Sequence, residues 1–127
     1  MSSVWLIDDD EEMNTAVSLM LKLIDYETEC FLDATIATQA LQEGRRPALI
    51  LLDINLPKIS GKDFLVTLRK QQQYNDLPVL MLSSEFADSE VDEFMRIGAD
   101  GYVFKPVTIE EMQQAIEKAI AKHSKAM

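Results

Sequence analysis

A parallel α/β sheet covered by helices on both faces is predicted by three features of this sequence. Strand-like runs recur five times, stretches at helical spacing separate them, and four of the runs end in polar residues. Short apolar runs without alternation suit strands buried on both faces, the setting a parallel sheet provides. Strand and helix in strict succession, joined by right-handed crossovers, give one doubly wound sheet.

Val4-Trp5-Leu6-Ile7, stopped by acids, reads as the first strand. Met13, Ala16, Val17, Met20, Leu23 and Ile24 then recur at helical spacing, and the acidic start suits the positive end of a helix dipole. A weaker strand is predicted near Thr28 to Leu32, followed by a short helix around Ile36, Ala37, Ala40 and Leu41 that Gly44 and Pro47 stop. Ala48 to Leu52 is the clearest central strand and closes on Asp53; Pro57 and Gly61 punctuate the loop before a third helix marked by Phe64, Leu65 and Leu68. Pro78 leads into Val79 to Leu82, ending at Ser83, and Val91, Phe94 and Met95 give a fourth helix ending at Gly98. Tyr102-Val103-Phe104 forms the last strand before Lys105-Pro106. Thr108 with Glu111 makes a capping-box pattern for a final helix lined by Ile109, Met112, Ile116, Ala119 and Ile120. Met13, Met20 and Met112 read as core positions. The stretch from Lys122 to Met127 is expected to be loosely held, with His123 in solvent.

The length of 127 residues suits one domain, expected over 1–127 with a core of about 3–122. Hydrophobic residues at 47% and charged ones at 27% place the chain among soluble globules. Twenty-two acids against 12 bases give a net charge of −10, which argues against direct binding to a phosphate backbone. The lone cysteine, Cys30, has no internal partner, and a reducing compartment follows. Apolar stretches such as Ala48 to Leu52 fall far short of the ~20 residues a membrane span needs. Acids occupy every position from Asp8 to Glu12, where a signal peptide would carry bases and a longer apolar run. A cytoplasmic location with no membrane contact is therefore expected.

In open α/β sheets, ligands bind outside the carboxyl ends of the strands. Asp8, Asp9, Asp53, Ser83 and Lys105 all follow or end predicted strands. Strands lie ~4.8 Å apart, so carboxylates on neighbours can share a small cation. Each residue alone has an ordinary explanation as a cap, a turn former or a solvated lysine. Together their chemistries complement one another. Carboxylates bind Mg²⁺, an ion that readily shares phosphate oxygens. A carboxylate can also attack phosphorus, while a lysine and a hydroxyl stabilise the phosphoryl oxygens. The set is suited to phosphoryl transfer to or from an aspartate.

In these motifs the sequence resembles the receiver domain of two-component response regulators, over about residues 3–122. The pieces are Asp8-Asp9, the run from Leu51 through Asp53 and Pro57 to Gly61, Val79 to Ser84, and Gly98-Ala99-Asp100-Gly101-Tyr102-Val103-Phe104-Lys105-Pro106. The resemblance implies a flavodoxin-like strand order 2-1-3-4-5, the order known for the family's chemotaxis member. It implies Asp53 as phosphoacceptor, with Asp9, Asp53 and the backbone carbonyl of Asn55 on Mg²⁺ and Asp8 acting mainly through metal-bound water. Ser83 and Lys105 would contact the phosphoryl group, and the Lys105–Pro106 bond would be cis. Switching would draw Ser83 toward the phosphate and let Tyr102 turn inward, changing the face formed by the fourth helix, last strand and last helix. Asn55 and Glu85 would tune dephosphorylation; the pair resembles that of the fast-cycling chemotaxis regulator and implies a short-lived phosphorylated state. Ser83 stands where threonine is commoner, and Ser84 where alanine or glycine is.

The implied donor is a sensor histidine kinase or phosphotransfer protein, meeting the start of the first helix near Met13, Asn14 and Val17. The implied target is a downstream effector protein or output domain, with the receiver a monomer or a phosphorylation-dependent homodimer. Such a domain promotes its own phosphorylation and dephosphorylation without being an enzyme in the usual sense. It is expected to be a complete receiver without an effector. Two rival readings are a haloacid-dehalogenase-type phosphatase and a docking module without a switch. The first finds an Asp-x-Asp pattern at Asp8 and Asp10 but lacks the usual small β-branched residue at position 12. The second would be expected to have lost the acids or the lysine, all of which are present.

Overall fold

The computed structural model describes residues 2–54, 56, 58–83 and 88–124. In chain order these form β1 (Ser2–Ile7), α1 (Glu11–Leu23), β2 (Tyr26–Phe31), α2 (Ala34–Gln42), β3 (Leu49–Asp53), α3 (Gly61–Arg69), a 3₁₀ turn (Gln72–Tyr74), β4 (Val79–Ser83), α4 (Asp88–Ile97), β5 (Gly101–Phe104) and α5 (Ile109–Ser124). The five strands make one parallel sheet in the order β2-β1-β3-β4-β5.

Strand alternation sends successive side chains to opposite faces, and each face meets its own helices. Ile50, Leu52, Val79 and Met81 join Ala37, Leu41, Phe64 and Leu68 on the α2–α3 side. Leu49, Leu51, Leu80 and Leu82 join Val17, Leu21, Met112 and Ile116 on the α1–α5 side. Every residue of β3 and β4 is buried, which explains why both read as unbroken apolar runs. The edge strand β2 is buried at Phe31 alone, and this uneven pattern weakens its signal. Its pairing with β1 starts at Ser2 opposite Tyr26, so β2 begins earlier than Thr28 and leaves Leu32 outside.

Helix starts are held by side chains that accept otherwise orphaned N–H groups. Asp10 accepts from Met13 N at 3.1 Å, Asp33 from Thr35 N at 2.8 Å and Ser60 from Asp63 N at 3.1 Å. The capping box at α5 is reciprocal: Thr108 N donates to Glu111 Oε1 at 3.0 Å, and Glu111 N to Thr108 Oγ1 at 3.1 Å.

Several apolar positions differ from expectation. Leu23, Ile36 and Met95 lie in exposed positions, and Met13 and Met20 are half-buried at the edge of the core, while Met112 is fully enclosed. Lys122 and His123 belong to the last turns of α5, which runs to Ser124. His123 Nε2 lies 2.9 Å from Asp100 Oδ1, so the end of α5 is tied to the start of β5. Among the described residues no helix is long and apolar enough to cross a membrane.

Candidate functional site

Because all five strands run the same way, their carboxyl ends share one edge, and the polar residues that follow them converge there. Asp8 directly follows β1 and stays in the sheet ladder, donating its N–H to Phe31 O at 3.0 Å. Asp53 and Ser83 are the last residues of β3 and β4. Lys105 follows β5, its N–H donating to Ser83 O at 2.7 Å. The Lys105–Pro106 peptide is cis.

Asp8, Asp53 and Ser83 are buried polar residues, at 0%, 6% and 5% exposure, whereas Asp9 faces solvent. Carboxylate oxygens of Asp8, Asp9 and Asp53 lie within 4.8 Å of one another. Lys105 Nζ is 2.9 Å from Asp8 Oδ2 and 3.8 Å from Asp53 Oδ1. Two enclosed carboxylates and one open to solvent suit a hard divalent cation that keeps part of its water shell. One lysine cannot balance three carboxylates, so the residues present fit a cation such as Mg²⁺.

The backbone around Asp53 is packed from below by α3. Gly61 opens that helix so close to β3 that a Cβ there would lie 2.4 Å from Asp53 O and 3.1 Å from Ile54 Cα. Only glycine allows this approach, which gives the Gly61 of the motif a steric reason.

The other sequence-marked residues divide. Tyr102 stands 44% exposed, its ring edge-on to Phe104 with centroids 5.3 Å apart, so it faces outward in this conformation. Asn55, Ser84 and Glu85 lie outside the described residues. Asn14 and Val17 are buried on the inner face of α1 and Met13 is half-buried, so Asn14 and Val17 offer no surface to a phosphodonor. The exposed positions of that helix are Glu11, Glu12, Thr15, Ala16, Leu19, Lys22 and Leu23. Asp10 accepts from Met13 N as the cap of α1, which leaves the Asp8/Asp10 pair of the phosphatase reading without a shared site.

Two residues make contacts that the sequence did not signal. Asn14 Nδ2 donates to the Asp8 carbonyl at 2.9 Å, directly behind the acid trio. At the opposite edge of the sheet, Asp100 Oδ2 accepts from Val79 N at 2.9 Å and Arg69 NH2 at 3.1 Å. Arg69 also donates to Gly98 O at 2.9 Å and Tyr74 O at 2.6 Å. Burial lowers the pKa of the Arg69 guanidinium, and the neighbouring Asp100 carboxylate opposes that shift.

A parallel sheet of order 2-1-3-4-5 with acids, a hydroxyl and a lysine at its carboxyl edge defines the receiver class of signalling domain. Residues 4–117 match the response regulator receiver domain, and the chain belongs to that family, the receiver domains of two-component signalling. It is 36% identical over 112 residues to the DNA-binding dual master transcriptional regulator RpaA of Synechocystis sp., covering 88% of this chain and 46% of that protein. The chain thus spans less than half the length of this curated relative. Among solved structures, the chemotaxis protein CheY4 of Vibrio cholerae is similar at 30% identity and a TM-score of 0.85, covering 94% of this chain and 98% of that one. NtrX of Brucella abortus is similar at 26% identity and a TM-score of 0.87, covering 97% of this chain but 28% of that one.

Proposed function

We propose that this receiver takes a phosphoryl group onto Asp53 from the phosphohistidine of a sensor kinase or phosphotransfer protein. The observation that carries the proposal is the meeting of Asp8, Asp9, Asp53 and Lys105 at one sheet edge. An Asp53 carboxylate oxygen attacks phosphorus, the P–O bond forms as the P–N bond breaks, and the electron pair leaves with the donor imidazole. Lys105 supplies positive charge to the phosphoryl oxygens and Ser83 a hydroxyl donor, both aimed at charge on the transferred group. Asp8, Asp9 and Asp53 would hold Mg²⁺ with the Asn55 carbonyl, and that ion would neutralise the phosphoryl oxygens. In hydrolysis water attacks phosphorus, the P–O bond to Asp53 breaks, inorganic phosphate leaves and the carboxylate is restored, at a rate that Asn55 and Glu85 tune.

The phosphorylated state would draw Ser83 toward the phosphoryl group and admit Tyr102 from its outward position, altering the α4–β5–α5 face for an effector protein, an output domain or a second receiver. With ten more acids than bases, these 127 residues are proposed to make no direct nucleic-acid contact and to act in the cytoplasm. The DNA-binding named for the Synechocystis relative belongs to a protein of which this chain matches 46%. Incubation with a small phosphoramidate donor tests the proposal. Phosphate labile to alkali and hydroxylamine, as an acyl phosphate is, should appear with Mg²⁺ and vanish with a chelator; incorporation that ignores Mg²⁺ would contradict it.

A further inference from the structure

We propose that Asn14 is a positioning residue for the cation site, holding the peptide from which Asp9 projects. The inference rests on the reading of Asp8, Asp9 and Asp53 as Mg²⁺ ligands.

Asn14 is 5% exposed and sits on the inner face of α1, where Val17 and Leu21 are wholly buried and apolar. A leucine there would continue the apolar stripe. The amide instead reaches back six residues, and its Nδ2 donates to the Asp8 carbonyl in a buried hydrogen bond of 2.9 Å. Its Oδ1 is buried and finds no partner among the described residues. A buried acceptor left unpaired costs on the order of 1–3 kcal/mol, so packing alone does not favour this side chain. Its one satisfied bond has a definite target.

That target governs Asp9. The Asp8 carbonyl belongs to the same peptide plane as the Asp9 N–H, and a planar peptide fixed at one end fixes where the next Cα begins. The rest of the turn is fastened on both sides. Asp8 N donates to Phe31 O, and Asp10 N donates to Asp8 Oδ1 at 3.0 Å. The Asp10 carbonyl accepts from Asn14 N at 2.9 Å, and the Asp10 side chain caps Met13 N. Asp9, the exposed member of the acid trio, lies between these anchors with its main chain held and its side chain open. Asn14 thus closes the loop from the first turn of α1 to the end of β1. Groups that orient metal ligands in this indirect way commonly change metal affinity by roughly 10-fold or more when removed.

The test compares wild type, Asn14→Leu and Asn14→Ala by calorimetric titration with MgCl₂, with thermal unfolding recorded without Mg²⁺. Leucine keeps the branched outline of the amide, with somewhat greater bulk, and loses its donor; alanine loses both outline and donor. Positioning predicts that both variants bind Mg²⁺ roughly 10-fold more weakly, although the leucine variant keeps a thermal midpoint near or above wild type. It also predicts that phosphorylation by a small donor falls at low Mg²⁺ and recovers at saturating Mg²⁺. Unchanged Mg²⁺ affinity in Asn14→Leu, or a loss confined to Asn14→Ala, overturns the positioning role while leaving the cation site standing. Absence of Mg²⁺ binding by wild type overturns the cation reading itself and this inference with it.

Discussion

The Lys105 ammonium lies 2.9 Å from Asp8 Oδ2, closer than its 3.8 Å to the phosphoacceptor candidate Asp53. Its side chain is 15% exposed, so without a divalent ion this lysine is the main balance for two enclosed carboxylates. Replacing Lys105 by methionine keeps the bulk and removes the charge. The variant should lose about 3 kcal/mol of stability in urea without Mg²⁺, the lower end of the cost of breaking a buried pair. Mg²⁺ should restore part of that loss, about 1.4 kcal/mol at a tenfold excess over its dissociation constant. Equal urea midpoints for both proteins without Mg²⁺ would show that the pairing carries no weight.

Gly61→Ala should damage the site through the backbone. The added methyl would meet Asp53 O at 2.4 Å, and neither β3 nor the start of α3 is a flexible side chain that can swing aside. A loss of about 1–3 kcal/mol is expected from overpacking, together with weaker Mg²⁺ binding as the end of β3 shifts. Urea unfolding and Mg²⁺ calorimetry read the two effects separately.

The Asp100 cluster supplies the contrasting case. Asp100 and Arg69 have side chains 7% and 11% exposed, and their pairing joins β4, β5 and the end of α3 at the edge opposite the acid trio. Asp100→Asn should destabilise the fold by about 3 kcal/mol, because it leaves a buried guanidinium without its counter-charge. Mg²⁺ affinity should stay within twofold of wild type. A matching loss of Mg²⁺ affinity would mean that the two edges are coupled.

How much of this was legible beforehand follows from the range of each signal. β3 and β4 lie buried on both faces, so their identity was written in local composition alone. The strand-end residues were legible because parallel topology carries a local observation to a common edge. Asp100 was visible as part of a motif, but its partners Arg69 and His123 are 31 and 23 residues away, beyond any periodicity. Asn14 interrupts an apolar stripe, which from sequence is indistinguishable from a position facing solvent or a partner. Leu23 and Ile36 fit a helical repeat yet lie outside the core, because short helices on a small sheet have more apolar positions than covered surface.

Asp33 connects stability to acid pH. The hydrogen bond from the Thr35 hydroxyl, with those from Ile36 N and Thr35 N and the charge of Lys58, holds its carboxyl below the usual carboxylate range despite some opposing desolvation. A depressed folded-state pKa contributes stability above the unfolded value of about 3.9, and that contribution is lost as pH falls through the folded value. Asp33→Asn should therefore lower the thermal midpoint at neutral pH and flatten its fall below about pH 4. Parallel midpoint curves for the two proteins from neutral to acid pH would contradict this.

The central claim is that Asp53, at the end of β3, is the residue that becomes phosphorylated. The most direct measurement is phosphate incorporation from a small phosphoramidate donor with Mg²⁺, compared among wild type, Asp53→Asn and Asp8→Asn. Wild type should be labelled and Asp53→Asn should not. Asp8→Asn should keep its label on Asp53 at a reduced rate. Equal labelling of wild type and Asp53→Asn, or label found on Asp8, would contradict the account.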